Sequence, residues 1–294
     1  MATTATARGP GNRARLIARF GPAVGTWYDA LPTLVDGLAR CWGLDVGEPG
    51  GGGTSCVYRC LRRGEGGAPD ATVWLKLTPD PVVATEEAAA LRAWSATPSV
   101  VRLLDSDLRT GALLLAGVEP GTRVRESGWA TADIAKLLLD LRSPRASAPA
   151  LPPLSARITF LYDHAARRCA HTPEVLARGR AAALALAAAG PTDGLVHGDL
   201  HQSNVLVGPG GGLIAIDPRP TLGDPDFDAA DWALDGVTDE HGLRKRIAAL
   251  AALVPGMSAT RVLAWCRATA PLTSGAPAFL LSPGDRGGEP GAIP

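Results

Sequence analysis

The chain has 294 residues, 46% of them hydrophobic and 20% charged, and its 29 Lys and Arg balance its 29 Asp and Glu. That length and apolar content support a buried core and exclude a disordered chain, and the 35 glycines follow no three-residue period, which excludes collagen. Zero net charge gives no reason to expect nucleic acid as a partner. The two longest stretches without Asp, Glu, Lys or Arg, residues 200–216 and 268–284, are interrupted by glycine and proline, so no membrane span is expected.

Taken in chain order, Arg8, Arg13, Arg15 and Arg19 precede any acid, and no continuous apolar stretch accompanies them. Residues 1–24 are therefore expected to be a mobile basic tail without a secretory signal. Residues 30–42 place Leu34, Leu38 and Trp42 on one helical stripe. Strands are expected over 55–61 and 72–77 across a Gly/Pro turn; in the second, Val73, Leu75 and Leu77 share one face while Trp74 and Lys76 share the other. A helix over about 85–94 carries Glu86 and Glu87 in its first turn, where the helix dipole favours acids. A hairpin ending in a buried strand over 112–118 follows. Beyond Gly121 the pattern turns helical: Ile134, Leu137, Leu138 and Leu141 repeat at 3.6 residues behind Thr131, and Thr172-Pro173-Glu174 opens a second helix that Gly190 ends. Short strands are expected at 204–207 and 213–216, and helices resume near Asp228. Residues 271–294 read as an irregular tail.

The five cysteines, Cys41, Cys56, Cys60, Cys169 and Cys266, are odd in number. They are expected to be reduced thiols in a cytoplasmic protein, since no second pair or His cluster completes a zinc site around Cys56 and Cys60.

Chemistry concentrates in LVHGDLHQSNVLVGPGGGLIAIDPRPTLGDPDFD. His197-Gly198-Asp199 is followed five residues later by Asn204, and Asp217 ends the next apolar run. Phosphoryl transfer uses these residue types in this order: one carboxylate orients the acceptor hydroxyl and takes its proton, while an amide and a second carboxylate hold magnesium against nucleotide phosphates. A lone His-Gly-Asp would fit an ordinary polar loop; the complete series does not. Between 217 and 240 the chain also gathers seven Asp and one Glu against a single basic residue, Arg219. Such a patch is either a cation-binding wall or a solvated acidic surface.

These motifs resemble the catalytic and metal loops of the aminoglycoside phosphotransferases. The stretches ALPTLVDGLARCWGL, VWLKL, EEAAALRAW, GALLLAGVEPG and HGDLHQSNVL with IDPRPTLGDPDFD are similar to the streptomycin 6-kinase and hydroxyurea phosphotransferase family, over about residues 25–270. The resemblance implies an α+β, protein-kinase-like fold of two lobes: a small antiparallel-sheet N-lobe over 25–117 and a mainly helical C-lobe over 118–270. It implies ATP and Mg2+ as cofactors, with Lys76 on the phosphates and Glu87 (or Glu86) paired to it. Gly51, Gly53, Thr54 and Ser55 would line the phosphate loop, and backbone groups at Ala116 and Val118 would meet the base. Asp199 would be catalytic, Asn204 and Asp217 would bind metal, and His197 and Asp228 would be structural. The acids Asp224, Asp226, Asp231 and Asp235 would face a small polar, polycationic acceptor.

The implied activity is transfer of the γ-phosphoryl of ATP to a hydroxyl of an aminoglycoside such as streptomycin. A kinase for hydroxyurea or a metabolite, and a non-catalytic nucleotide-binding pseudokinase, are the alternatives. Three departures stand out. The glycine loop PGGGGTS lacks the G-x-G-x-x-G spacing, the hinge has Ala116-Gly117 where the family often has an acid, and the C-terminus turns Pro/Gly-rich where a packed helix is usual.

Overall fold

The computed structural model describes residues 10–50, 54–64, 70–142, 151–168, 171–273 and 277–281. Two helices, α1 (Pro10–Phe20) and α2 (Val24–Trp42), lead into β1 (Leu44–Gly50), β2 (Cys56–Arg62) and β3 (Ala71–Leu77); helix α3 (Pro81–Ala93) precedes β4 (Leu103–Asp107) and β5 (Ala112–Ala116). These strands form one antiparallel sheet in the order β1-β2-β3-β5-β4. The alternation expected in β3 holds: Val73, Leu75 and Leu77 enter a core with Tyr58 and Cys60 of β2 and Tyr28, Leu31 and Val35 of α2. Lys76 points to the opposite face.

Two parts of this lobe depart from expectation. Residues 10–20 are not a tail but a helix, fastened by the fully buried Leu16 and by an ion pair of Arg13 with Asp29 on α2 at 3.2 Å. Its arginines gave a solvated composition, but one apolar side chain at the right spacing suffices to seat it. Strand β1 was hidden by Gly47 and Pro49, which an edge strand tolerates.

The second lobe holds α4 (Val124–Ser127), α5 (Thr131–Arg142), α6 (Leu154–Arg167), α7 (Pro173–Ala188), α8 (Ala230–Leu234), α9 (Glu240–Leu253), α10 (Ala259–Thr269) and α11 (Ala278–Leu281). Two small antiparallel ladders sit among them: β6 (Gly194–Val196) with β9 (Thr221–Gly223), and β7 (Val205–Val207) with β8 (Leu213–Ala215). Caps fix the helix starts: Asp80 accepts from Val82 N, Asp239 from Gly242 N and Ser258 from Arg261 N. Within 271–294, the described residues form a short turn at Ala270–Leu272 and helix α11 rather than irregular chain.

The lobes join through Ala116–Gly121. Gly117 N donates to Thr72 O and Gly121 N to Val207 O. A Cβ on Gly117 would lie 2.5 Å from the Thr72 carbonyl oxygen. Close backbone approach is thus the physical reason this hinge carries glycine rather than an acid.

Candidate active site

The pleat of β3 aims Lys76 between the lobes, where it is buried. Its Nζ lies 2.7 and 2.5 Å from the two carboxylate oxygens of Glu87, fully buried on α3, and 2.7 Å from Asp217 Oδ1. Glu87 rather than Glu86 is therefore the partner. Burial alone would lower the Lys76 pKa, but Asp217 and Glu87 outweigh it and hold the ammonium above its usual value. Burial pushes Asp217 up, and Lys76 with Arg219 more than reverses this, so its carboxyl stays well below the usual range. Asp217 also has φ 55°, a left-handed conformation uncommon outside glycine and concentrated at functional sites.

The loop after β6 places the other two members. Asp228, on the turn Pro225–Ala229, accepts from the backbone N–H of His197 at 2.6 Å and of Gly198 at 2.9 Å. Gly198 has φ 75°, and its missing Cβ leaves room for the Arg219 carbonyl. Arg219 N in turn donates to His197 O at 2.8 Å. His197 is buried, stacked on Trp94 with centroids 6.2 Å apart, and its Nδ1 accepts from Asp199 N at 3.3 Å. Burial drops its pKa to about 4 and raises that of Asp228 to about 7. Asn204 Nδ2 donates to Asp199 O at 3.0 Å and to Asp199 Oδ2 at 3.3 Å, and Asn204 O accepts from Ile216 N, next to Asp217. Asp199, Asn204, Asp217, Lys76 and Glu87 thus meet in one place. They adjoin a cleft of about 480 Å³ walled by Ser55, Trp74, Ala116, Val118, Leu206 and Ile216.

The donor set for a metal is the Asp217 carboxylate and the Asn204 amide. Both offer oxygen, which suits Mg2+, an ion that takes few protein ligands and completes its shell with water and phosphate. Thr54 and Ser55 are buried at the cleft roof; Gly51 and Gly53 lie outside the described residues.

The acidic segment divides. Asp224 is buried and accepts from Arg261 Nη2 at 2.6 Å, Arg261 Nε at 2.8 Å and Trp265 Nε1 at 2.7 Å. Asp226 is buried against Arg142 at 2.7 Å and Ser258 N at 3.1 Å. These two are corrections to the acceptor wall: they brace α5 and α10 from inside and present nothing to a substrate. Asp235 accepts from Trp129 Nε1 at 2.8 Å. Asp231 accepts from Thr273 at 3.5 Å, and its pKa is raised by burial and by the neighbouring Asp199.

Three arginines near the site, Arg157, Arg219 and Arg19, were not among the expected site residues. Arg157 of α6 donates to Gly198 O and to Asp199 Oδ1, both at 2.8 Å. Arg219 lies 3.8 Å from Asp217 Oδ1 and also donates to the Thr54 hydroxyl, linking the two lobes. Arg19 of α1 sits with its guanidinium carbon 5.1 Å from the Phe160 ring centroid, while that of Arg157 lies 5.5 Å from the same ring. Phe160 falls three residues after Arg157, on the same helical face, which is the one sequence signal that could have found this pair.

Among the described residues no disulfide forms: Cys56, Cys60 and Cys266 are buried thiols and Cys41 is an exposed one. No described helix is long and apolar enough to cross a membrane.

The family described as aminoglycoside/hydroxyurea antibiotic resistance kinase matches residues 44–278. The chain is 37% identical over 227 residues to a hydroxyurea phosphotransferase of Kitasatospora aureofaciens, covering 74% of this chain and 65% of that protein. It is 33% identical over 237 residues to a streptomycin 6-kinase of Streptomyces glaucescens, covering 75% and 72%. Among solved structures, the choline kinase LicA of Streptococcus pneumoniae superposes with a TM-score of 0.59 at 14% identity, covering 82% of this chain and 86% of that one. A macrolide 2'-phosphotransferase type I does so with 0.56 at 16% identity, covering 81% and 88%. At these identities the likeness establishes the fold, which is that of the protein-kinase-like phosphotransferases.

Proposed function

Because the chain belongs to the aminoglycoside/hydroxyurea antibiotic resistance kinases, we propose that it transfers the γ-phosphoryl of ATP, bound with Mg2+, to a hydroxyl of a small polar molecule. The observation that carries this reading is the meeting of Lys76, Glu87 and Asp217 with Asp199 and Asn204 across the cleft between lobes. Lys76, held charged by two carboxylates, binds the phosphates. Asp199, fixed by Asn204 and Arg157, receives the acceptor hydroxyl and takes its proton. Asp217 and Asn204 hold the metal, which supplies charge neutralisation at the phosphates. Catalysis then comes from positioning and electrostatics, without a covalent intermediate. LicA has also been solved in complex with AMP, which supports a nucleotide as a ligand of this fold.

For the acceptor, the streptomycin 6-kinase relatives favour an aminoglycoside. One observation favours a smaller, less cationic acceptor such as hydroxyurea. Asp224 and Asp226 are consumed by internal partners, whereas Arg19, Arg157 and Arg219 surround Asp199 and Asp217. A polycation approaching Asp199 would meet three guanidinium groups. Incubation with ATP and Mg2+ and either streptomycin or hydroxyurea, followed by mass spectrometry, tests both readings. Phosphate added to hydroxyurea alone supports the second, phosphate added to streptomycin restores the first, and modification of neither, with no binding of MgATP, removes the kinase reading.

A further inference from the structure

Helix α1 lies outside the family match, which begins at residue 44, yet its last turn shares the Phe160 ring with Arg157, the partner of Asp199. Leu16 anchors it in the N-lobe core, while Arg19, in its last turn, crosses to Phe160 on α6 of the C-lobe. The other two arginines are committed: Arg157 to Asp199 and Gly198 O, Arg219 to Thr54 and Asp217. Arg19 is exposed, and among the described residues it lies over two rings, those of Phe160 and Phe20, and makes no ion pair, which leaves it open to an incoming anion.

We propose that Arg19 is an arginine supplied in cis to the phosphoryl-transfer centre, donating to the equatorial oxygens of the γ-phosphoryl group as it moves from ATP to the acceptor. This rests on the kinase reading above and goes beyond it, because it makes an N-terminal helix part of the catalytic apparatus.

The charge arrangement argues for an anion at this spot. Four cations, Lys76, Arg19, Arg157 and Arg219, lie among four carboxylates, Glu87, Asp199, Asp217 and Asp231, so the grouping of guanidinium groups rather than a net excess of charge invites an anion. The guanidinium groups of Arg19 and Arg157 share one phenyl ring, an arrangement of like charges that a shared anion relieves. Arg19 also feels Asp199 and Asp217, the two groups between which the phosphoryl must pass; partial desolvation and the like charges of Arg219 and Arg157 pull its pKa down. In the reaction the acceptor oxygen–phosphorus bond forms as the bond from phosphorus to the β,γ-bridging oxygen breaks. ADP leaves with the electron pair, and Asp199 takes the hydroxyl proton. In that passage the group flattens and its charge is spread over three equatorial oxygens in one plane, to which a planar guanidinium fork donates best.

The test compares wild type, Arg19→Ala and Arg19→Lys in the full-length chain. Calorimetry measures MgADP, and MgADP with aluminium fluoride, a mimic of the phosphoryl in flight. Turnover is measured on whichever of streptomycin and hydroxyurea the wild type modifies, or as ATP hydrolysis to water if it modifies neither. For Arg19→Ala we expect kcat to fall on the order of 10²-fold with KM for ATP within about threefold, and the fluoride complex to weaken while MgADP binding holds. Arg19→Lys recovers part of kcat. Equal kcat and equal fluoride binding in wild type and Arg19→Ala overturn the proposal, as does a lowered melting temperature with unchanged turnover per folded molecule, which assigns Arg19 a strapping role alone. A wild type that binds no nucleotide overturns the kinase reading instead, so the two failures are distinguishable.

Discussion

Asp199 and Asp217 on one side, and Asp224, Asp226 and Asp228 on the other, are the same residue type within thirty positions, yet their surroundings divide them. The first two keep 30% and 33% of their side chains exposed. The other three are buried and saturated by Arg261 and Trp265, by Arg142 and Ser258 N, and by two backbone N–H groups. A buried carboxylate with every oxygen partnered holds structure together; one left partly open beside a lysine or an amide is available to a substrate or a metal. The count of acids in the sequence therefore overstates the acceptor wall, and substitutions should separate the two groups by what they damage.

The largest effect belongs to Asp199→Asn. It keeps size and hydrogen-bonding reach but removes the proton acceptor, so turnover should fall by at least about 10³-fold, with melting temperature and MgATP affinity nearly unchanged. Phosphate release or transfer assays with calorimetry check this, and normal turnover would break the division at its root. Asp224→Asn should do the reverse. Removing a charge that Arg261 and Trp265 surround should cost about 3 kcal/mol of stability in urea unfolding, while kcat per folded molecule stays within about twofold, a change under 0.5 kcal/mol in the transition state. If kcat collapses with the fold intact, Asp224 belongs to the acceptor site after all.

How much of this was legible in the sequence depends on how local each partnership is. His197 to Asp217 is one strand–loop–strand unit, so its residue order alone reports the catalytic set. Strand alternation fixed the face of Lys76, but its pairing with Glu87 was implied by the family resemblance, with Glu86 left open because the helix, expected over 85–94, begins at Pro81. The Asp224–Arg261 pair spans 37 positions and Arg142–Asp226 spans 84; no periodicity encodes such distances, and the acids read as solvent-facing. Arg157 and Arg19 were missed for the same reason. An arginine on a helix ordinarily signals a wet face; the packing of α6 turns Arg157 inward, whereas Arg19 stays exposed and is set apart only by lying over Phe160. Strand β1 failed differently, because its glycine and proline mimic a loop.

A smaller net effect comes from two groups in contact whose titrations oppose each other. His197 stays neutral in the fold down to about pH 4, against 6.5 when unfolded, so its contribution is complete above pH 6.5 and is lost as pH falls toward 4. Asp228 keeps its proton in the fold up to about pH 7, against 3.8 when unfolded, so its contribution is complete below 3.8 and is lost as pH rises toward 7. Each is worth about 3 to 4 kcal/mol, and together they leave the wild type nearly flat across this window. Asp228→Asn should expose the histidine slope, with stability rising from pH 4.5 to 6.5. His197→Gln should expose the aspartate slope, with stability falling over the same range. Urea midpoints at the two pH values read the difference between variants, in which the remaining titrating groups cancel. Parallel slopes in both variants would mean that the burial of this pair does not control its protonation.

The smallest effect tests the edge of the division. Asp235 was expected to face the acceptor, and it is only half-buried, with one oxygen accepting from Trp129 Nε1 at 2.8 Å. Trp129 also packs edge-on against Trp232, with centroids 5.5 Å apart, and Arg246 lies over its ring at 5.1 Å. Asparagine at 235 keeps an oxygen acceptor for the indole, so Asp235→Asn should change stability by no more than about 1 kcal/mol. If Asp235 serves only the tryptophan, acceptor KM should also hold within about twofold, under 0.5 kcal/mol of binding. A KM rise of about tenfold, equivalent to 1.4 kcal/mol, would move Asp235 to the substrate side. The acidic wall would then begin at α8, beyond the three buried aspartates rather than among them.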